Sequence, residues 1–237
     1  MIGLPALLVF IVTLYFMILV FLQYRRNHRL SHALWTISLF LSAFGSLAYA
    51  IAVWTQAGRG IWFILYYICG ALWMAAMMGL GSLALVFSKR TVYVITVIVA
   101  LLGVVGTIGL IVTPLSPSAL SHLDGGAGTS VVPVSALWLV PLITLNTFGA
   151  VAVPAVALVS AWKVLRRSAP KRFFFGNLWL AIGVLIIAGA GSAARLGWPG
   201  LFWVTMLIGW VIAFGGFHLL SAVPEKRAVV ADAPVTL

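Results

Sequence analysis

Seven stretches of predominantly apolar residues run through this chain, and nearly all its charge collects in the gaps between them. A helix needs about twenty such residues to cross the hydrocarbon core of a bilayer, so each stretch reads as a membrane-spanning helix. The first four cover Gly3 to Gln23, Ala33 to Trp54, Ile61 to Phe87 and Val92 to Val112. The last three cover Ala136 to Trp162, Phe173 to Ala194 and Leu201 to Ala222. The expected fold is all-α: a polytopic integral membrane protein with residues 1–222 as one seven-helix domain and 223–237 as a disordered cytoplasmic tail. The first stretch has no basic segment before it and no small-residue cleavage pattern after it, so it is expected to be a retained span.

The gaps orient the spans. Lys163, Arg166, Arg167, Lys171 and Arg172 crowd one gap without an acid among them, and such a segment stays on the cytoplasmic side. Arg25, Arg26 and Arg29 hold the first gap inside in the same way, and Lys89 and Arg90 the third. Of the 14 Lys and Arg residues, only Arg59 and Arg195 fall on the opposite side. The chain is therefore expected to have its N-terminus outside and its C-terminus inside. Trp54 and Trp62 flank the turn between spans two and three as interfacial aromatics. One long gap, 114–135, has several Pro and Gly and no Lys or Arg; it is expected to be external and irregular, with a short surface helix or a mobile cover.

Composition agrees with this picture and removes alternatives. A chain that is 64% hydrophobic and 7% charged has too little polar surface for a water-soluble globule. Its net charge of +11 would suggest nucleic acid in a soluble protein; here the cations are topology signals and contacts for anionic lipids at the inner face. A single cysteine, Cys69, excludes an intramolecular disulfide.

Candidate chemistry is sparse. No Asp, Glu, Lys or Arg lies in the middle of a span, which argues against proton- or ion-coupled carriers and against membrane proteases that need a charged or metal-bound centre. All four lysines lie in gaps or the tail, so no retinal Schiff base is expected. Asn146, Thr144 and Thr147 in span five and Asn177 in span six can line a cavity beside a kink at Pro154, or act as interhelical glue. Tyr66, Tyr67 and Trp73, with Cys69, can form an aromatic wall for an apolar or neutral ligand, or simply pack. His218, near the inner end of span seven, can be a switch or, with His32, a haem ligand; an interfacial histidine bonded to a carbonyl is the plainer reading, and no cofactor is expected. His28 and His32 stand at helical spacing, but the arginines around them oppose a metal cation. His122 and Asp124 in the long gap give only two ligands, so no metal site is expected.

Small residues mark helix contacts. Gly103, Gly106 and Gly109 form a smooth strip on span four, and the run from Gly189 to Ala194 is expected to mark a tight crossing.

Trp62, Tyr66, Tyr67, Gly70 and Trp73 leading into Ser88-Lys89-Arg90, together with the basic Tyr24 to His32 segment and Ala33-Leu34-Trp35 after it, resemble the seven-helix N-terminal sensor modules of bacterial histidine kinases. The resemblance covers spans two to four. It implies a bacterial inner-membrane sensor of a lipid-like or neutral ligand, and the short tail implies output through a partner protein. A non-enzymatic sensor, or a membrane subunit of a larger or homo-oligomeric assembly, is the expected function. The alternative is a facilitator for a small neutral solute. Ala33-Leu34-Trp35 aligns with Asn177-Leu178-Trp179, and Ala43 to Ser46 aligns with Gly189 to Ser192 with a two-residue offset. These matches suggest a parallel 3+1+3 repeat, similar to the architecture of the SWEET sugar transporters. Their Pro-Gln signature is absent here.

Overall fold

A computed structural model describes residues 3–123, 125–166, 170–196 and 198–221. Arg167, Asp124 and the tail, with Lys226 and Arg227, lie outside the described residues. Among the described residues all regular structure is helical, and seven helices are long and apolar enough to cross a membrane. By helix length and hydropathy this is a multi-pass membrane protein.

The long helices are α1 (Leu4–Asn27), α2 (Leu30–Trp54), α3 (Arg59–Leu83), α4 (Lys89–Val112), α5 (Ala136–Arg166), α6 (Lys171–Arg195) and α7 (Phe202–Ser221). Helix α1 runs one turn past its apolar stretch, placing Arg25 and Arg26 in its last turn, where cations complement the dipole. His28 ends it in a left-handed conformation and α2 begins at Leu30. The helix break between them means that His28 and His32 do not share a helical face, contrary to the spacing argument. Ser88 caps α4 by accepting a hydrogen bond from Thr91 N.

Six helices form a closed circuit of neighbours, each packed on the next in the order α1, α2, α3, α5, α6, α7 and back to α1. Helix α4 stands outside the circuit against α3 and α5. Its glycine strip makes that contact: at Gly106 a Cβ would press on Leu72 and Pro141, and at Gly109 it would lie 2.9 Å from Trp138 N. Beyond Tyr93 the remaining face of α4 is exposed and aliphatic, from Val94 through Leu101 to Ile111. Nothing polar interrupts it, as suits a surface turned to lipid.

The core has two aromatic clusters. Toward the basic end Phe16 packs on Trp35, Trp210, Phe214 and Phe217, with the Phe217 ring 4.8 Å away, joining α1, α2 and α7. Toward the other end Tyr49, Phe63, Tyr66, Tyr67, Trp138 and Trp203 make a chain of edge and tilted contacts. Such pairs add about 0.5–1.5 kcal/mol each beyond area burial.

Helix α3 is not uniform. Residues Tyr67–Trp73 form a π-helical stretch between two α-helical halves. The wider turn accompanies a close approach to α2: a Cβ on Gly45 would stand 2.8 Å from Gly70 N. Two carbonyls in or beside the stretch take side-chain donors, Ala71 O from Asn146 Nδ2 at 2.6 Å and Met74 O from Ser38 Oγ at 2.7 Å. A widened turn disturbs the i−4 ladder, and in an apolar surround the affected acceptors need such partners.

Candidate functional site

A cavity of about 560 Å3 lies among α3, α5, α6 and α7 in the half of the bundle away from the basic gaps. Along each helix its lining ends toward the basic side at Met78, Ala150, Val184 and Met206. From Tyr66 to Met78 it is on the order of 15 Å deep, at helical rise. The walls are mostly Ala, Gly, Leu, Ile, Met and Phe, with Asn146, Thr147, Ser192 and Thr129 as polar points. Among the described residues no Asp, Glu, Lys, Arg or His lines it.

Glycines decide where the helices close and where they part. Toward the basic side α5 meets α3 at Gly149, where a Cβ would overlap the Ala75 carbonyl. Helices α6 and α7 close at Gly183 and Gly216, where a Cβ would stand 2.5 Å from Ala213 N and 2.6 Å from Gly176 O. Gly189 and Gly191 are different: nothing lies within 4 Å of a Cβ on either, and both line the cavity. The run from Gly189 to Ala194 was expected to be a tight crossing. Its buried members are Ala190 and Ala194, while its two glycines widen the cavity instead.

Asn146 is the best-defined polar group in the wall. Its Nδ2 donates to Ala71 O and, at 2.8 Å, to Leu142 O. Because both partners are carbonyls, the amide can be oriented only with its nitrogen toward them. Its Oδ1 is then the atom with unused capacity, and it accepts no hydrogen bond among the described residues.

The long gap closes the top. It carries the short helix Pro117–Ser121, capped by Ser116, and then turns inward, so that Val131 and Val132 are buried. Three tyrosines hold it: Tyr49 donates to Gly126 O, Tyr66 to Ala127 O at 3.3 Å and Tyr67 to Gly128 O at 3.5 Å. Ala127 and Thr129 thereby join the cavity lining. Gly128 has φ +65°, and a Cβ there would strike the Phe63 ring at 2.5 Å, so only glycine fits. Arg59 braces the same gap by donating to Leu120 O and Ser121 O. Trp138 Nε1 donates to Pro133 O.

Of the residues singled out in the sequence, Tyr66, Tyr67, Asn146 and Thr147 meet at this cavity. Cys69 and Thr144 do not line it, and neither do four others. Trp73 turns to α4, its Nε1 donating to Thr107 Oγ1 at 3.0 Å. Pro154 is buried in α5, which runs through it as one helix, one turn beyond Ala150, where the lining on that helix ends. Asn177 donates to its own helix at Phe173 O. His218 is exposed near the end of α7. His122, from the H-x-D pair, has its Nδ1 2.9 Å from both Ser118 O and Ser121 Oγ. The described basic side chains Arg25, Arg26, Arg29, Lys163, Arg166 and Lys171 are exposed at one end of the bundle, and Arg172 lies over the Phe173 ring at 4.7 Å.

The sequence reading missed Tyr49, the third member of the tyrosine set, and Gly189 and Gly191 as cavity formers. A phenol in an apolar span needs a partner, which was a usable signal for Tyr49. No signal within the run itself separates a glycine that meets a neighbour from one that does not. Comparison with family models, with curated proteins and with solved structures gave no match for this chain.

Proposed function

We propose that this protein holds a lipid-like or neutral ligand in the cavity among α3, α5, α6 and α7 and works without catalysis, as a sensor or as a membrane subunit of a larger assembly. The observation that carries this reading is the cavity itself, about 560 Å3 of largely apolar wall with a few fixed polar groups and, among the described residues, no charge. Ligand sites have volumes of a few hundred Å3 and this kind of lining. An ion or a zwitterion would be desolvated there without a counter-charge, which disfavours both. The membrane is the bacterial inner membrane in this reading, by the resemblance to histidine-kinase sensor modules. The basic end faces the cytoplasm and anionic lipid, and the tyrosine-held loop faces outside, because 12 of the 14 Lys and Arg residues lie on the basic side.

The test uses the open space at Gly189. Gly189→Leu meets no neighbour at its Cβ, improves helix propensity and fills the cavity. Native mass spectrometry of wild type released gently from its own membrane is expected to show a small neutral adduct that Gly189→Leu loses. Equal adducts on both, or none on either, would overturn the reading. A chain that co-purifies with both would identify the assembly.

One observation favours a second reading, a facilitator for a small neutral solute. The circuit α1-α2-α3-α5-α6-α7, with α4 outside, is the neighbour order that two parallel three-helix units joined by a linker helix would give. Solute-dependent flux in proteoliposomes, abolished by Gly189→Leu, would favour it; a flux equal to that of empty liposomes would exclude it.

A further inference from the structure

Behind Tyr66 and Gly70 a second chamber, about 30 Å3, lies between α2, α3 and α7. It shares Tyr66, Gly70, Ala71, Met74, Phe202 and Met206 with the main cavity and adds Ser42, Ser46 and Trp203. A space of that size takes one water-sized group. Its polar lining is unusual. Ser42 and Trp203 are 2% and 3% exposed, and neither Ser42 Oγ nor Trp203 Nε1 has a hydrogen-bond partner among the described residues. Ser46 is not in that condition, because its hydroxyl donates to Ser42 O at 2.8 Å. Buried polar groups are almost always paired, so two orphans in one small chamber point to an absent partner.

The chemistry of the orphans defines that partner. An indole N–H can only donate, and a serine hydroxyl can donate or accept. Their common complement is an oxygen with free lone pairs, which the indole can bond in every case and which the serine can bond as donor, or as acceptor if the oxygen is a hydroxyl. Among the described residues no Asp, Glu, Lys, Arg or His lines either space, and beside those walls a carboxylate or an ammonium is left uncompensated.

We propose that the small chamber is the specificity end of the ligand site: resting on the cavity reading above, it receives a terminal carbonyl or hydroxyl oxygen of an uncharged, otherwise apolar ligand whose body fills the main cavity. The ligand class is thus a long-chain alcohol, ketone or comparable neutral oxygenated lipid, and Trp203 and Ser42 are the residues that choose it.

The test is equilibrium binding of labelled hexadecane, hexadecanol, hexadecan-2-one and hexadecanoate to the full chain in nanodiscs, corrected for partition into empty discs. Wild type is expected to hold the alcohol and the ketone about five- to tenfold more tightly than the alkane, the value of one net hydrogen bond, and to show no preference for the carboxylate. Trp203→Phe keeps an aromatic ring, smaller than the indole, and removes the donor; Ser42→Ala removes the hydroxyl. Each is expected to abolish most of the preference while the variant still binds the alkane, a readout that a loss of fold would not give. Equal binding of alkane, alcohol and ketone, or a preference that survives both substitutions, would overturn the proposal and leave the chamber as the seat of a fixed water. Binding of no probe at all would overturn the cavity reading and the subsite with it.

Discussion

At Gly183 a methyl group would stand 2.5 Å from Ala213 N, and at Gly149 it would overlap the carbonyl of Ala75. Backbone cannot step aside as a side chain can, so Gly183→Ala and Gly149→Ala are expected to destabilise by about 1–3 kcal/mol, as overpacking does. Gly189→Ala meets nothing and should be neutral or gain up to about 1 kcal/mol from helix propensity. Thermal unfolding of the three purified variants checks the contrast, and similar losses in all three would contradict it. Asn146→Leu removes the donor to Ala71 O and is expected to cost about 1–2 kcal/mol, near the upper end for polar contacts between membrane helices. The sequence singled out Asn146 and the run at Gly189, passed over Gly149 and Gly183, and could not sort the glycines. A small residue permits close approach without requiring it, and the arrangement of the bundle decides which glycines acquire a neighbour. That is why the strip at Gly103, Gly106 and Gly109 behaves as expected and the run at Gly189 does not.

The loop over the cavity is an element of the fold because its carbonyls are spoken for. Tyr49, Tyr66 and Tyr67 reach Gly126, Ala127 and Gly128 across 61 to 77 residues of sequence. Replacing all three by Phe keeps the rings and removes the hydroxyls, at about 0.5–1.5 kcal/mol per bond. Hydrogen exchange is expected to speed up selectively across residues 125–132, with the helices unchanged; unaltered exchange there would show that burial of Val131 and Val132 alone holds the loop. The seven spans were readable because a bilayer demands long apolar helices, and the short helix at Pro117–Ser121 fell where a surface helix was expected. The inward fold of 125–132 was not readable, since Pro and Gly mark a turn without saying where it goes. The π-helical stretch Tyr67–Trp73 was equally hidden: its stabilising partners, Asn146 and Gly45, come from other helices.

At the scale of the whole molecule the charge pattern and the packing make one argument. Neutralising Arg166, Arg167, Lys171 and Arg172 together is expected to weaken the inside preference of α5 and α6, seen as altered accessibility of engineered cysteines in the flanking gaps; unchanged labelling would show that the remaining basic gaps suffice. Helix α4 stays outside the six-helix circuit, and the circuit leaves a void of about 560 Å3 where α3, α5, α6 and α7 diverge from their glycine crossings. The void is capped by the tyrosine-held loop, and the small chamber with Ser42 and Trp203 opens behind it. The most direct measurement is an experimental structure of the protein in nanodiscs formed from its own membrane. Ordered density is expected between Tyr66 and Met206, elongated, with no ionic partner, and ending against Ser42 and Trp203. A void closed by collapsed side chains, or a ligand held by charged groups at the basic end with the void empty, would contradict it.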